Sequence, residues 1–224
     1  MKSNQTGNRK TAFQVATNLL HGVIPQQKER KSGWHTYKLG ELFTERAEIN
    51  RIDLPLLSIT GQNGVVPRNT KENFNAPSED RSKYLRITPG DIGYNTMRMW
   101  QGVSGLSKLE GIVSPAYTVC IPGSKIDGLF ASYLFKYPPV IHLFRRYSQG
   151  MVDDTLALKF PNFAQIHVTI PDKPEQRRIA AVLNTCDCEI ELRQKQLEAL
   201  KQQKRGLMQK LLNGETHFKI PKEK

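Results

Sequence analysis

The feature that most limits what this chain can fold into is a seven-residue apolar repeat held through its last quarter. Ile179, Leu183, Cys186, Ile190, Arg193, Leu197, Leu200, Lys204, Leu207 and Leu211 follow one another in alternating steps of four and three. That spacing is the a/d seam of a coiled coil. A lone helix with such a stripe leaves its seam in water, so the repeat demands a second helix to cover it. Eight of the ten seam positions are apolar if Cys186 is counted, and Arg193 and Lys204 are the exceptions. Charges on a seam weaken it but select register and helix number, because pairings that bury them unpartnered are penalised. Asp172 with Glu175 makes a capping box, Pro174 suits a first turn, and Asn213-Gly214 supplies a left-handed stop. The helix so bounded, residues 172–213, is about 60 Å long at about 1.5 Å per residue. The alternative, a helix folded back on its own domain, needs only a short apolar face. This repeat runs for more than four heptads.

What precedes the repeat has room for one core. A chain of 224 residues with 38% hydrophobic content supports a single domain plus an appendage. The formal charge is +12 and the pI about 9.7, a balance suited to meeting phosphate, although a merely soluble basic protein has the same totals. The excess is uneven: residues 1–33 net +5, residues 34–170 only +3 and residues 171–224 +4. Basic clusters at Arg68–Lys71, Arg81–Arg86 and Arg145–Arg146 therefore stand on a mildly basic middle, which fits selected contacts better than nonspecific adhesion. Cys120, Cys186 and Cys188 make no disulfide framework and no zinc spacing, so a reducing compartment is expected. With no signal-peptide apolar stretch and no membrane-length run, the expected location is cytoplasmic, away from any membrane.

Along the chain, residues 1–33 read as an N-terminal extension, with a short helix from Lys10 to His21 and a Gln/Lys-rich linker. From Trp34 the pattern changes to short β-like runs closed by turns: Pro55–Thr60 before Gly61, Tyr84–Thr88 before Pro89-Gly90-Asp91, and Gly111–Ile121 before Pro122-Gly123. Helical spacing returns over Asp127–Arg146, with Leu129, Tyr133, Leu134, Phe135, Leu143 and Phe144 as an inward stripe broken at Pro138-Pro139. An extended run, Gln165–Ile170, leads into the coil. The domain is thus expected over 34–171, the coil over 172–213 and a polar tail over 214–224.

Five stretches occur in an order that resembles the specificity subunits of type I restriction-modification enzymes. They are WHTYKLGEL at 34–42, GDIGYNTMRMWQG at 90–102, VSPAY at 113–117, IPDKPEQRRI at 170–179 and KRGLMQKLLNG at 204–214. In the family the fourth stretch reads closer to IPLPPLxEQ; here the turn is shorter and more charged. The resemblance implies an α+β fold, in which one mixed, β-rich globular target recognition domain is followed by a long C-terminal α-helix that forms an antiparallel coiled coil. Such subunits have two recognition domains and two coil segments, and this chain has material for one of each. It resembles a half-size form, or the second half of a longer one. The resemblance further implies double-stranded DNA as a partner, with one domain reading half of a bipartite target. It implies methyltransferase (M) subunits docked on the coil, a possible restriction (R) subunit, and a second copy of the chain as a homodimer. No cofactor is expected on this chain; S-adenosylmethionine, ATP and Mg would belong to the partner subunits. Two-fold pairing of the coils would make the target an interrupted palindrome.

Base edges in the major groove are matched best by Arg for guanine and by Asn or Gln for adenine. Three segments supply such side chains: Gln62, Asn63, Arg68, Asn69 and Lys71; then Tyr94, Asn95, Arg98 and Gln101 around Trp100; then Arg145, Arg146, Ser148 and Gln149. A plain solvated turn would have the composition of the first segment, and core packing competes with base contact at Tyr94 and Trp100. Ile179, Leu183, Cys186, Ile190, Leu197, Leu200, Leu207 and Leu211 are the expected dimer contacts of the coil.

Two other classes compete. Ser114-Pro115-Ala116-Tyr117 is superficially like the Asp/Asn-Pro-Pro-Tyr loop of DNA amino-methyltransferases, but serine substitutes poorly for the group that holds the target amine. No Gly-x-Gly turn, Walker loop or nuclease carboxylate cluster accompanies it. Asp153-Asp154 reads as a loop or helix start rather than a metal pair, and the five histidines show no triad spacing. Catalytic and metal residues are accordingly expected to be none. A coiled-coil assembly protein that never touches DNA would explain the heptads but not the reader-like domain.

Overall fold

Antiparallel pairing joins every strand of the computed structural model, which describes residues 33–68, 80–152 and 155–216. The helix expected over Lys10–His21, the pair Asp153-Asp154 and the tail beyond residue 216 lie outside the described residues. The chain divides into two units, Met1–Ala180 and Ala181–Lys224.

The first unit is built on a four-stranded sheet in the order β2 (Phe43–Glu45), β9 (Tyr117–Pro122), β6 (Ile92–Asn95), β7 (Ser104–Leu106). Three two-stranded ladders surround it: β1 (Trp34–Lys38) with β10 (His167–Pro171), β3 (Leu57–Thr60) with β4 (Gly64–Pro67), and β5 (Leu85–Ile87) with β8 (Gly111–Val113). The helices are α1 (Leu39–Leu42), α2 (Gly128–Leu134), α3 (Pro138–Tyr147) and α4 (Phe160–Phe163), and α5 (Lys173–Leu212) begins here and continues beyond.

Two apolar clusters hold these pieces. One is aromatic and centres on Phe163, whose ring lies 5.4 Å from Tyr94, 5.6 Å from Phe135 and 5.8 Å from Phe43. Each such pair adds about 0.5–1.5 kcal/mol beyond the burial of its area. The other joins Leu57, Ile59, Val65, Ile87, Val113 and Val119 across the β3–β4, β5–β8 and β9 layers. Gly93 in β6 allows the second cluster to close, since a Cβ there would meet the Ile87 Cδ1 at 3.1 Å.

The β-like runs fall where the turn residues placed them, with one division. Gly111–Ile121 is two strands, because Ser114 to Tyr117 forms a turn in which the Tyr117 N–H donates to the Ser114 carbonyl at 3.0 Å. The helical stripe is also shifted from the expected one. Phe130, Ala131, Leu134, Phe135, Val140 and Phe144 are buried, whereas Leu129, Tyr133 and Leu143 are only half-buried. The reason is that Pro138-Pro139 does not merely interrupt one helix; it opens a second at the N-terminal positions where missing N–H groups cost nothing. α2 and α3 therefore present separately phased faces.

α5 starts as its caps indicate. The Asp172 carboxylate accepts the Glu175 N–H at 3.3 Å, and Gly214 at φ +73° sits in the left-handed stop. Its first two turns belong to the domain: Gln176, Ile179 and Ala180 are buried there. Gln176 is held by three hydrogen bonds, accepting from the Asp127 N–H at 2.8 Å and donating to the Lys125 carbonyl at 3.1 Å and the Pro171 carbonyl at 2.8 Å.

The rest of that helix, to Leu212, lies in the second unit. Four of its seam side chains are bare in the single chain, Ile190 at 54% exposed, Leu197 52%, Leu200 60% and Leu207 54%, while Leu183, Cys186 and Leu211 are half-buried. Arg193 on the seam is engaged within its own helix by Glu189 at 3.5 Å and Gln196 at 3.3 Å. Ile179, expected among the dimer contacts, is instead 2% exposed within the first unit, because the helix's opening turns complete that core.

Candidate nucleic-acid interface

Three segments that are far apart in sequence come together on the domain. The turn Gly61–Asn63 caps the β3–β4 hairpin, the loop Thr96–Val103 joins β6 to β7, and the end of α3 runs into residues 148–152. The hairpin lies so close to β7 that a Cβ on Gly105 would meet the Gly64 Cα at 2.5 Å. Only glycine fits this approach. Lys136, between α2 and α3, donates from Nζ to the Gly61 carbonyl at 3.0 Å and to the Gly102 carbonyl at 2.6 Å. Arg145 stacks over the Trp100 ring at 5.3 Å, which joins α3 to the loop. The chain beyond α3 is tied in as well: Gln149 and Ala157 form an antiparallel bridge, and the Leu158 N–H donates to the Thr96 carbonyl at 2.8 Å.

The charge of these segments is one-sided. Residues 54–71, 92–109 and 128–152 contain no Asp or Glu, although each contains Lys or Arg; acid returns at Asp153-Asp154. Elsewhere on the domain Arg86 and Arg46 are neutralised in place. Arg86, in an expected basic cluster, binds Glu48 at 2.9 Å and Glu110 at 2.5 Å, and these hydrogen bonds hold its guanidinium above the usual range. Arg46 is clasped by the buried Asp91 at 2.8 and 3.0 Å. In a groove lined by Arg46, Asp91, Asp127, Lys173 and Arg177, Arg177 lies 3.8 Å from Asp127 and Lys173 donates to the Ser124 carbonyl at 2.9 Å.

The expected contact residues sort by exposure. Gln62 and Asn63 are exposed at the hairpin turn, Arg98 and Gln101 in the loop, and Arg146 and Gln149 at the end of α3. Arg98 and Gln101 meet at 3.5 Å, close to the limit of a hydrogen bond, so both side chains are available to another partner. Asn95 uses its Oδ1 to accept the Met97 N–H at 3.0 Å and so shapes the loop. Ser148 donates to the Phe144 carbonyl at 2.7 Å, which closes α3. Arg68 is half-buried at the end of the hairpin, while Asn69 and Lys71 lie outside the described residues.

Tyr94 requires correction. Expected as a contact, it is fully enclosed, stacked on Phe163, and offers no surface to a base. Burial pushes its phenol well above the ordinary range. Its place on β6 turns it inward, and the next side chain that can leave the sheet is Asn95. The half-buried Trp100 is a scaffold for the loop, its indole donating to the Met97 carbonyl at 3.0 Å.

Lys136 and Gln176 were not among the expected site residues. Nothing local marks Lys136, whose partners lie 75 and 34 positions away. Gln176 does stand in one of the five family-like stretches, and only its burial reveals a role. Among the described residues no group of three or more His, Cys, Asp and Glu is gathered for a metal, and no helix is long and apolar enough to cross a membrane.

A family model, the type I restriction modification DNA specificity domain, matches residues 31–202. Among solved structures the chain is similar to the HsdS subunit from Thermoanaerobacter tengcongensis, with 18% identity and a TM-score of 0.53 over 88% of this chain and 46% of that one. It is similar to the type I restriction-modification S subunit from M. genitalium at 15% identity and a TM-score of 0.52, covering 92% and 56%. A third likeness is to a chain from a type I R-M system described for its complex assembly and conformational transition, at 16% identity and a TM-score of 0.54, covering 91% and 54%. At these identities the likeness is one of fold, and the chain spans about half the length of these relatives. No curated protein matches it by sequence.

Proposed function

The chain belongs to the type I restriction-modification DNA specificity family, and from that premise we propose that it is a non-catalytic subunit that reads one half of a bipartite DNA target. The observation that carries this reading is the meeting of three acid-free, polar segments around Lys136 and Trp100. A surface for duplex DNA needs cations for phosphates and exposed Asn, Gln and Arg for base edges, and this one offers both. Gln62, Asn63, Arg98, Gln101, Arg146 and Gln149 are the side chains free to reach bases or phosphates.

The helix supplies the second half of the proposal. Its bare seam is covered by the antiparallel helix of a second copy, so that two domains stand at a separation set by the coil. The paired coil also docks methyltransferase subunits, which bring S-adenosylmethionine; ATP and Mg belong to a restriction subunit where one is present. The assembly works in the cytoplasm. Identical readers related by a two-fold axis select an interrupted palindrome.

Selection of bound fragments from random duplexes, with the full chain reconstituted on a methyltransferase subunit, tests this directly. The expected result is two short half-sites separated by a fixed gap. Enrichment of no sequence, with the two-copy coil intact, would favour the other reading that the bare seam supports, a coiled-coil assembly protein that leaves DNA alone.

A further inference from the structure

Resting on the DNA-reading proposal, we infer that Lys136 is a positioning residue: one ammonium, bonded to the Gly61 and Gly102 carbonyls at 3.0 and 2.6 Å, yokes the two base-reading loops into a single rigid reader.

Apart from Lys136, each of the two loops is held by bonds of its own. The turn Gly61–Asn63 is closed from within, the Asn63 N–H donating to the Thr60 hydroxyl at 3.0 Å and that hydroxyl to the Gly64 carbonyl at 3.2 Å. The loop Thr96–Val103 is likewise closed on itself, through Asn95, Met97, Trp100 and the Gly102 N–H to the Met99 carbonyl at 2.8 Å. Each loop keeps its shape alone. At the tips Lys136 supplies the hydrogen bonds between them, added to the packing of β3 and β4 on β7, where Gly64 meets Gly105 and a Cβ on Gly61 would lie 3.8 Å from the Val103 Cγ2.

The chemistry suits a yoke. An ammonium has three donors on a compact head, so it can serve two carbonyls that approach from different segments. Removal of its charge by deprotonation is favoured by desolvation, which lowers its proton affinity from the ordinary lysine value, and the two carbonyl dipoles oppose that loss. Gly102 can present its carbonyl in this direction because it sits at φ +75° with the Ile141 side chain beneath it, where a Cβ would meet the Ile141 Cδ1 at 2.9 Å. Lys136 itself is half-buried and bound to two backbone groups, so it is set behind the reading side chains and acts through them.

The consequence concerns specificity. A base contact discriminates only while donor and acceptor stay within hydrogen-bond geometry, whereas a phosphate contact tolerates displacement. Loss of the yoke therefore spares general DNA affinity and relaxes the choice of sequence.

The test uses the full chain reconstituted with a methyltransferase subunit, wild type and Lys136→Met, each bound to its selected duplex and to a scrambled duplex of equal length. Wild type provides the control: if it selects no sequence, the DNA-reading proposal itself fails, and this inference with it. With a wild-type target in hand, Lys136→Met is expected to lower the ratio of selected to scrambled affinity by about tenfold, the scale of one good base contact, while scrambled binding stays within about twofold of wild type. An unchanged ratio, or an equal loss on both duplexes, overturns the inference. Should the methionine variant fail to fold, Lys136→Gln keeps a polar head that is too short to reach both carbonyls, and it is read by the same ratio with the same two outcomes.

Discussion

Arg98 and Tyr94 stand four residues apart and are sent to opposite fates by a single structural fact, the end of β6 at Asn95. Tyr94 still belongs to the strand and points into the aromatic cluster; Arg98 lies beyond it, exposed in a loop. Their substitutions should separate in kind. Arg98→Ala is expected to weaken binding to the selected target by about 1–3 kcal/mol if it reads guanine, with little change on random duplexes; fluorescence titration of both duplexes checks it, and equal losses would make Arg98 a phosphate contact. Tyr94→Ala should instead cost about 3–5 kcal/mol of folding stability, as for other large aromatic truncations in a core, measured by denaturant unfolding. A stable Tyr94→Ala protein with altered DNA choice would place the ring outside the core. Gln176 is the third residue of consequence. Truncation to Ala leaves the Asp127 N–H and the carbonyls of Lys125 and Pro171 without their partner. A destabilisation of about 2–4 kcal/mol is expected, because an unsatisfied buried group costs about 1–3 kcal/mol and of the three only the Pro171 bond is fully buried; a Gln176→Ala melting curve matching wild type would rule this out.

At the scale of the element, α5 carries its own reporters. Cys186 occupies a seam position and Cys188 the outward face two residues on, while Cys120 is buried in the sheet with its thiol pushed well above the ordinary range. Alkylation of the native assembly should therefore be fast at Cys188, slow at Cys186 once a partner helix covers the seam, and absent at Cys120 until unfolding. Peptide mapping after timed alkylation distinguishes the sites, and equal rates at Cys186 and Cys188 in the assembled complex would mean that the seam stays open. The same helix acts as a spacer in the proposed function. Deletion of one heptad within Glu189–Leu207 keeps the seam in phase and shortens the helix by about 10 Å at about 1.5 Å per residue. The preferred gap between half-sites should shift accordingly in a selection for bound sequences; an unchanged gap would show that the coil does not set it.

Over the whole molecule, what the sequence determines and what it leaves open divide along the range of the interactions involved. Strands and turns were legible where local chemistry decides them, as at Pro89-Gly90-Asp91 and at Gly61, because a turn residue and a short apolar run need no distant partner. The helix from Lys173 to Leu212 was legible from its period and its caps for the same reason. The side chains offered for DNA contact were legible only as types. Their sorting into the exposed Arg98, the loop-shaping Asn95, the helix-closing Ser148 and the buried Tyr94 required knowledge of where each strand and helix ends. α2 and α3 show the limit most clearly, since a correct helical period gave a stripe shifted from the buried one once Pro138-Pro139 began a new helix with its own phase. The residues found only in the fold, Lys136 and Gln176, act through backbone groups 34 to 75 positions away, or 49 and 51 for two of the Gln176 bonds. A backbone carbonyl has no side-chain identity, so no pattern of residue types announces a bond to it. The sequence by itself thus determined the long helix, its apolar seam and the β-rich domain before it, because periodicity and capping are local. Tertiary structure alone decided which polar groups face outward together, because that depends on which distant backbone segments the core brings within hydrogen-bond reach.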